Sequence, residues 1–185
     1  MLRAATPGVW VAIAAMAIVV TASNVFVQFP INDWLTWGAF SYPVSFLVTD
    51  LTNRRFGSQR ARLVVYAGFA VAVILSFSLA TPRIALASGS AFLLAQLLDI
   101  AIFDRLRQGT WWRAPLISSL LASAFDTALF FSLAFAVTGL PWITWAIGDF
   151  AVKVSIALVM LIPYWSLRSI IGDATPRNER AADRG

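Results

Sequence analysis

Four carboxylates, Asp50, Asp99, Asp126 and Asp149, each lie in or at the edge of a stretch apolar enough to sit in lipid. A carboxylate near the bilayer centre costs about 2.5–3.5 kcal/mol on insertion scales. Groups kept at that cost are expected to line a polar pathway or binding site inside a helical bundle, the arrangement of a transporter. Lys153 follows Asp149 at i, i+4, so the two can pair, and Lys153 can also answer a carboxylate across the bundle such as Asp126. Ser88, Phe92, Gln96, Asp99 and Phe103 recur at helical spacing and fall on one face, alternating aromatic and polar. A flat heteroaromatic ligand needs that combination: a ring to stack on, with an amide and a carboxylate to read its edge. Ser119, Ser123, Asp126 and Phe130 repeat the pattern, and Thr21, Asn24 and Gln28 line one side of the first apolar stretch. The plainer reading of each polar residue is a bond to a neighbouring helix, and the small residues from Ser118 to Ala124 suit close packing in any case.

The elements that must position these residues follow from composition. The chain has 185 residues, 59% hydrophobic and 12% charged, with mean hydropathy +0.77. That excludes an ordinary soluble domain. Six apolar stretches, near 9–29, 34–49, 63–80, 84–103, 114–138 and 142–167, nearly exhaust it. Most reach the roughly 20 residues needed to cross about 30 Å of hydrocarbon. The expected fold is an all-α membrane protein, a bundle of six transmembrane helices over residues 1–171, with a disordered cytoplasmic tail at 172–185.

Basic residues give the orientation. Arg54, Arg55, Arg60 and Arg62 follow the second stretch, Arg105, Arg107 and Arg113 the fourth, and Arg168, Arg177, Arg180 and Arg184 end the chain, while the alternate loops hold Arg83. The positive-inside rule then puts both termini in the cytoplasm. The net charge of +5 reports topology, and no nucleic-acid partner is expected. Trp10, Trp34, Trp37, Trp111, Trp112, Trp142, Trp145 and Trp165 all fall near stretch ends, at the depth an indole prefers. A signal-peptide reading of Arg3, the apolar run 9–20 and Thr21-Ala22-Ser23 would leave five spans and move the new N-terminus outside, with no gain in consistency.

With no Cys and no His, disulfides, thiolate metal sites and imidazole relays are excluded. No metal site and no cofactor are expected. The second stretch is short and carries Gly38 and Pro43, which fits either a broken helix lining a cavity or an ordinary kinked one. Asp50 and Arg54, again i, i+4, fit either a cytoplasmic gate or a capped helix end.

The ordered set Asp50-Leu51-Thr52-Asn53-Arg54-Arg55-Phe56-Gly57, Gln96-Leu97-Leu98-Asp99, Phe103-Asp104-Arg105-Leu106-Arg107, Trp111-Trp112-Arg113-Ala114-Pro115, Ser118-Ser119, Asp126-Thr127 and Asp149-Phe150-Ala151-Val152-Lys153 resembles the queuosine-precursor transporter family. The similarity runs from about Phe46 to Tyr164 and departs at Asn53, where many members carry an acidic residue. The resemblance implies a six-helix importer in the bacterial inner membrane for 7-cyano-7-deazaguanine or 7-aminomethyl-7-deazaguanine, the bases that feed queuosine synthesis in tRNA. Its motif positions here are Asp50, Arg54, Gln96, Asp99, Asp126, Asp149 and Lys153. A guanine-like edge offers a ring N–H and an exocyclic amine that one carboxylate accepts together. On this reading Asp99 or Asp126 meets that edge, Gln96, Asn24 and Ser123 assist, and Phe92, Phe103 or Phe130 stack, at about 1–3 kcal/mol per base by analogy with nucleic-acid binding.

Two other classes compete. The substrate-binding membrane subunit of an energy-coupling-factor type vitamin transporter is also small and six-helical, and would dock an ATP-driven partner through small residues such as Gly8 and Ala12. Whether the chain acts with that partner, as a homo-oligomer or alone is left open. An intramembrane enzyme would need a clustered metal-binding carboxylate set or a nucleophile with its base. The carboxylates here are spread along the chain, so no enzymatic activity is expected.

Overall fold

The computed structural model describes residues 6–26, 29–32, 35–79, 81–139 and 141–172, with side chains described at all of these except 24, 30, 32, 35, 36, 38 and 76–79. Gln28, Trp34, the side chain of Asn24 and the tail at 173–185 therefore lie outside the described residues. The element order is α1 (Pro7–Phe26), β1 (Pro30–Asn32), β2 (Leu35–Thr36), α2 (Gly38–Ser41), α3 (Val44–Phe56), α4 (Ser58–Leu79), α5 (Pro82–Leu106), α6 (Arg113–Phe135) and α7 (Trp142–Ile171). The strands form one small antiparallel hairpin, and α1, α3, α4, α5, α6 and α7 make the six-helix bundle. Four of them, α4 to α7, are long and apolar enough to cross a membrane, and α1 is a shorter apolar helix.

Polarity runs inside out. Val11, Ile18, Ile74, Leu86, Ile147 and Ile162 stand exposed, whereas Thr49, Asn53, Gln96 and Asp99 are 0% exposed. Water would reverse that distribution, and a hydrocarbon solvent requires it. The bundle places the start of α1, the end of α3 and the end of α7 at one end, because Gly8 packs under Phe56 and Gly172 lies beside Arg55. Arg54, Arg107 and Arg168 gather there too: Arg107 Nη2 donates to the Arg54 carbonyl at 3.0 Å and Arg168 stacks 5.0 Å over the Trp111 ring.

The second apolar stretch is not one helix. Pro43 has no N–H to give and disfavours helical geometry in the residue before it, so α2 stops at Ser41 and α3 starts at Val44. The helix expected to end at Thr49 instead continues to Phe56, so Asp50 to Arg54 lie within it rather than closing it. Its buried residues are Ser45, Phe46, Thr49, Asp50, Thr52 and Asn53, and it touches every other helix of the bundle. The shortest and most polar helix is therefore the central one.

Gly57 alone joins α3 to α4, at φ 82° and ψ 167°, a region nearly closed to residues with a Cβ. Gly57→Ala is expected to lower stability by about 1–3 kcal/mol, read as an earlier thermal transition in detergent. An unchanged transition would show that the joint relaxes freely.

Elsewhere the helix limits are locally specified. The Thr81 hydroxyl caps α5 by accepting from the Ile84 N–H, with Pro82 in the first turn where its missing donor does no harm. Antiparallel α5 and α6 approach closely through small buried residues, with Ala95 packed against Ala122.

Candidate functional site

Three polar networks occupy the middle of the bundle. The first joins α5 to α3. Gln96 Nε2 donates to Ser45 Oγ at 2.8 Å, and Thr49 Oγ1 donates to Gln96 Oε1 at 2.6 Å. One turn on, Asn53 Nδ2 donates to the Ile100 carbonyl at 3.2 Å. The Gln96 amide is thus engaged on both sides by α3, which fixes the register of the two helices. Gln96→Leu leaves Ser45 and Thr49 buried without this partner and is expected to cost about 1–3 kcal/mol. A thermal unfolding curve that does not shift would count against this role.

The second network is ionic and joins α6 to α7. Lys153 Nζ donates to Asp126 Oδ2 at 2.7 Å and to Thr127 Oγ1 at 3.0 Å, and pairs with Asp149 Oδ2 at 2.5 Å. Both partners raised by the sequence, the i, i+4 carboxylate and the one across the bundle, are engaged at once. Thr127 Oγ1 donates to Asp149 Oδ2 at 2.7 Å, and Tyr42 Oη donates to Asp126 Oδ1 at 3.1 Å. The ammonium also lies 5.6 Å from the centre of the Tyr42 ring. One cation thus serves two carboxylates, with hydroxyls from the helix break and from α6 spreading the remaining negative charge.

The third network surrounds Asp50. Its two oxygens accept long contacts of 3.5 Å from the Ser118 and Ser119 hydroxyls of α6. On its other side stands Asp99 of α5, whose carboxyl comes within interaction distance of that of Asp50. Tyr164 of α7 lies near Asp50 and near the guanidinium groups of Arg54 and Arg168.

A cavity between α3, α6 and α7 links the second and third networks. Asp50, Ser119, Ser123 and Lys153 line it, with Phe46 and Tyr164 in its wall. The space it offers to water is about 20 Å³, room for one or two molecules. A bicyclic base does not fit until the walls part. Two of those walls carry prolines: Pro43 stands at the break before the helix that carries Asp50, and Pro163 interrupts the hydrogen-bond ladder of α7 beside Tyr164.

Of the residues singled out in the sequence, Asp50, Ser119, Ser123 and Lys153 line this cavity. Asp126 and Asp149 hold Lys153, Asp99 stands behind Asp50, and Gln96 holds α3. Arg54 sits near Tyr164, and its carbonyl receives Arg107. Phe92 packs in the apolar cluster with Val9, Met16 and Val65, edge-on to Tyr42 at 6.2 Å. Phe130 lies in an aromatic cluster with Phe131 and Phe135, and Phe103 meets Tyr164 edge-on. Tyr42, Phe46, Thr49 and Tyr164 also belong to these networks or the cavity wall, without having stood out as site residues in the sequence. The signal for three of them was present: Tyr42, Phe46, Asp50 and Arg54 are spaced by four, as are Ser45, Thr49 and Asn53. A helix taken to end at Thr49 hides both runs. At the start of α1, Gly8 is used internally, since a Cβ there would meet Phe56 Cζ at 2.5 Å.

Among the described residues no group of three or more Asp, Glu, Cys or His side chains is arranged to hold a metal ion. Known proteins resemble the chain over most of its length. The family described as "Putative vitamin uptake transporter" matches residues 36–81 and 75–167. The chain is 37% identical over 179 residues to the "Queuosine precursor transporter" of Escherichia coli (strain K12), covering 81% of each. It is 34% identical over 190 residues to the "Probable queuosine precursor transporter" of Haemophilus influenzae, covering 80% of this chain and 81% of that one. A protein of Bacillus subtilis with the latter name is 25% identical over 177 residues, covering 80% and 76%. No solved structure matches the chain.

Proposed function

The chain belongs to the queuosine-precursor transporter family, a family of multi-pass membrane proteins, and on that premise we propose that it imports 7-cyano-7-deazaguanine or 7-aminomethyl-7-deazaguanine across the bacterial inner membrane. The observation that carries the reading is the cavity that joins Asp50 to Lys153 within the bundle. A deazaguanine edge carries two donors and one acceptor. Asp50 accepts the ring N–H and exocyclic amine together, and Ser123 donates to the ring carbonyl, with the Lys153 ammonium beside it supplying positive charge. Phe46 and Tyr164 supply the apolar flanks. Asp126 and Asp149 position the ammonium, and the side chain of Asn24 and the rings of Phe92, Phe103 and Phe130 are second-rank candidates for contacts in the open state. A purine lacking the exocyclic amine leaves one carboxylate oxygen buried and unpaired, which supplies the discrimination. Both termini and the arginine-rich end of the bundle face the cytoplasm in this reading, with Arg54 beside Tyr164 at the inner exit.

The experiment uses a bacterium that neither makes the precursor nor has its own importer. Expression of this chain, with nanomolar 7-cyano-7-deazaguanine supplied, is expected to restore queuosine in tRNA, scored by gel shift. Restoration only when ATPase and scaffold subunits are supplied would instead make the chain the binding subunit of an energy-coupling-factor transporter. No restoration under either condition, with membrane insertion verified, would refute the substrate assignment.

A further inference from the structure

Asp99 is 0% exposed, and neither of its oxygens has a hydrogen-bond donor among the described residues. Its carboxyl nevertheless faces that of Asp50, itself 2% exposed. Ser118 lies near both, but its single hydroxyl hydrogen is divided between contacts of 3.5 Å to Asp50 and 3.4 Å to the Pro115 carbonyl. Two ionised carboxylates in contact, in a water-poor interior, repel strongly. One proton changes the sign: a protonated Asp99 becomes a donor, and Asp50 becomes its acceptor. From this geometry we propose that Asp50 and Asp99 share one proton, and that this proton travels with the substrate as its coupling ion.

The surroundings define the exchange. Around the pair, α6 presents the Ser118 and Ser119 hydroxyls, α7 presents Tyr164 and, lining the same cavity, Lys153, and α3 carries Arg54 near Tyr164. Helix α1 has no titratable side chain among its described residues, and on α4 Arg62 and Tyr66 are turned outward while Arg60 is half-buried. Asp50 lines the cavity and Asp99 does not, so substrate and proton meet on one carboxyl. A base that donates to Asp50 needs it ionised, and Asp50 ionises at little cost only while the proton rests on Asp99. Substrate binding and proton binding therefore support each other, which is the thermodynamic requirement for cotransport. The proton enters from the outer side with the base and leaves to the cytoplasm when the pair opens towards Arg54 and Arg168. This inference rests on the proposed importer function, and the test separates the two.

Infrared spectra of the full-length protein in lipid, without substrate, examine the shared proton alone. At neutral pH the wild type is expected to show the C=O band of a buried protonated carboxyl, which Asp99→Asn removes. The variant is isosteric and gives Asp50 an amide donor, so the fold is kept. No band in the wild type, or one unchanged in the variant, overturns the proposal. In proteoliposomes, exchange of labelled for unlabelled 7-cyano-7-deazaguanine tests the substrate assignment by itself. An inward gradient of about one pH unit is then expected to raise accumulation about tenfold at one proton per molecule. Asp99→Asn should lose the response to the gradient. Accumulation driven by a sodium gradient instead, or a proton response retained in Asp99→Asn, overturns the coupling. Failure of exchange in the wild type strikes the substrate assignment, and the infrared result then decides the proton pair.

Discussion

Asp50→Asn is expected to abolish import while leaving the protein inserted and folded. The carboxylate offers a deazaguanine edge two charge-assisted acceptors, each worth about 1.5–3 kcal/mol. An amide keeps one acceptor and turns the other into a donor facing the donors of the base. Binding should therefore weaken by about 10²–10⁴-fold, measured as the concentration of 7-cyano-7-deazaguanine that half-protects the purified protein against thermal unfolding. The neighbours tolerate the change, because the hydroxyls of Ser118 and Ser119 contact Asp50 only at 3.5 Å. Half-protection within threefold of the wild type would remove Asp50 from the recognition site.

The other large effect concerns Lys153. Removing the cation of a buried network leaves its carboxylates uncompensated, at a cost of about 3–5 kcal/mol. Lys153→Met takes the ammonium from both Asp126 and Asp149 at once, so the variant should unfold on the order of 10 °C earlier and show no import. Adding Asp126→Asn relieves part of the excess charge. The double variant should recover several degrees, with Tyr42 and Thr127 still available as partners, yet remain inactive. Recovery of both stability and import would reduce the network to a structural element. A single variant that unfolds at the wild-type temperature would contradict the geometry itself.

The six-helix bundle was legible because lipid imposes a length and a polarity that composition reveals directly. Residues 84–103 and 114–138 correspond closely to α5 and α6, whose exposed residues include Leu86, Leu94, Leu121, Phe125 and Leu133. The central helix was not legible in the same way. Its interior face is built from Ser45, Thr49, Asp50 and Asn53, so a hydropathy reading ends where the helix becomes most important. Periodicity at four residues carries that information, but only once the helix is known to continue past Thr49. The aromatic residues show a different obstacle. Phe92 and Phe46 are both buried, at 3% and 2% exposed, and nothing in their local sequence says that one faces α1 and α4 while the other faces the cavity. Which neighbour an inward side chain meets depends on the rotation of a whole helix, set by contacts far away in the chain. Asp126 and Lys153, by contrast, were recognisable as partners because a lysine at that depth demands an anion and few were on offer.

The single-residue joint at Gly57 also bears on how the chain enters the membrane. As α3 emerges from the ribosome it carries Asp50, Asn53, Arg54 and Arg55 in 13 residues, too short and too polar to partition into lipid by itself. Helix α4 follows after one residue and, beyond Arg60 and Arg62, is apolar enough to cross a membrane. The two must therefore insert as one hairpin, with the affinity of α4 for lipid drawing its polar neighbour inward, and α5 arriving later to supply Gln96. Until then Ser45 and Thr49 have no partner on that side. Substitutions along this joint should accordingly appear in cells as rapid proteolysis of nascent chains, well before any altered affinity for a substrate could be measured.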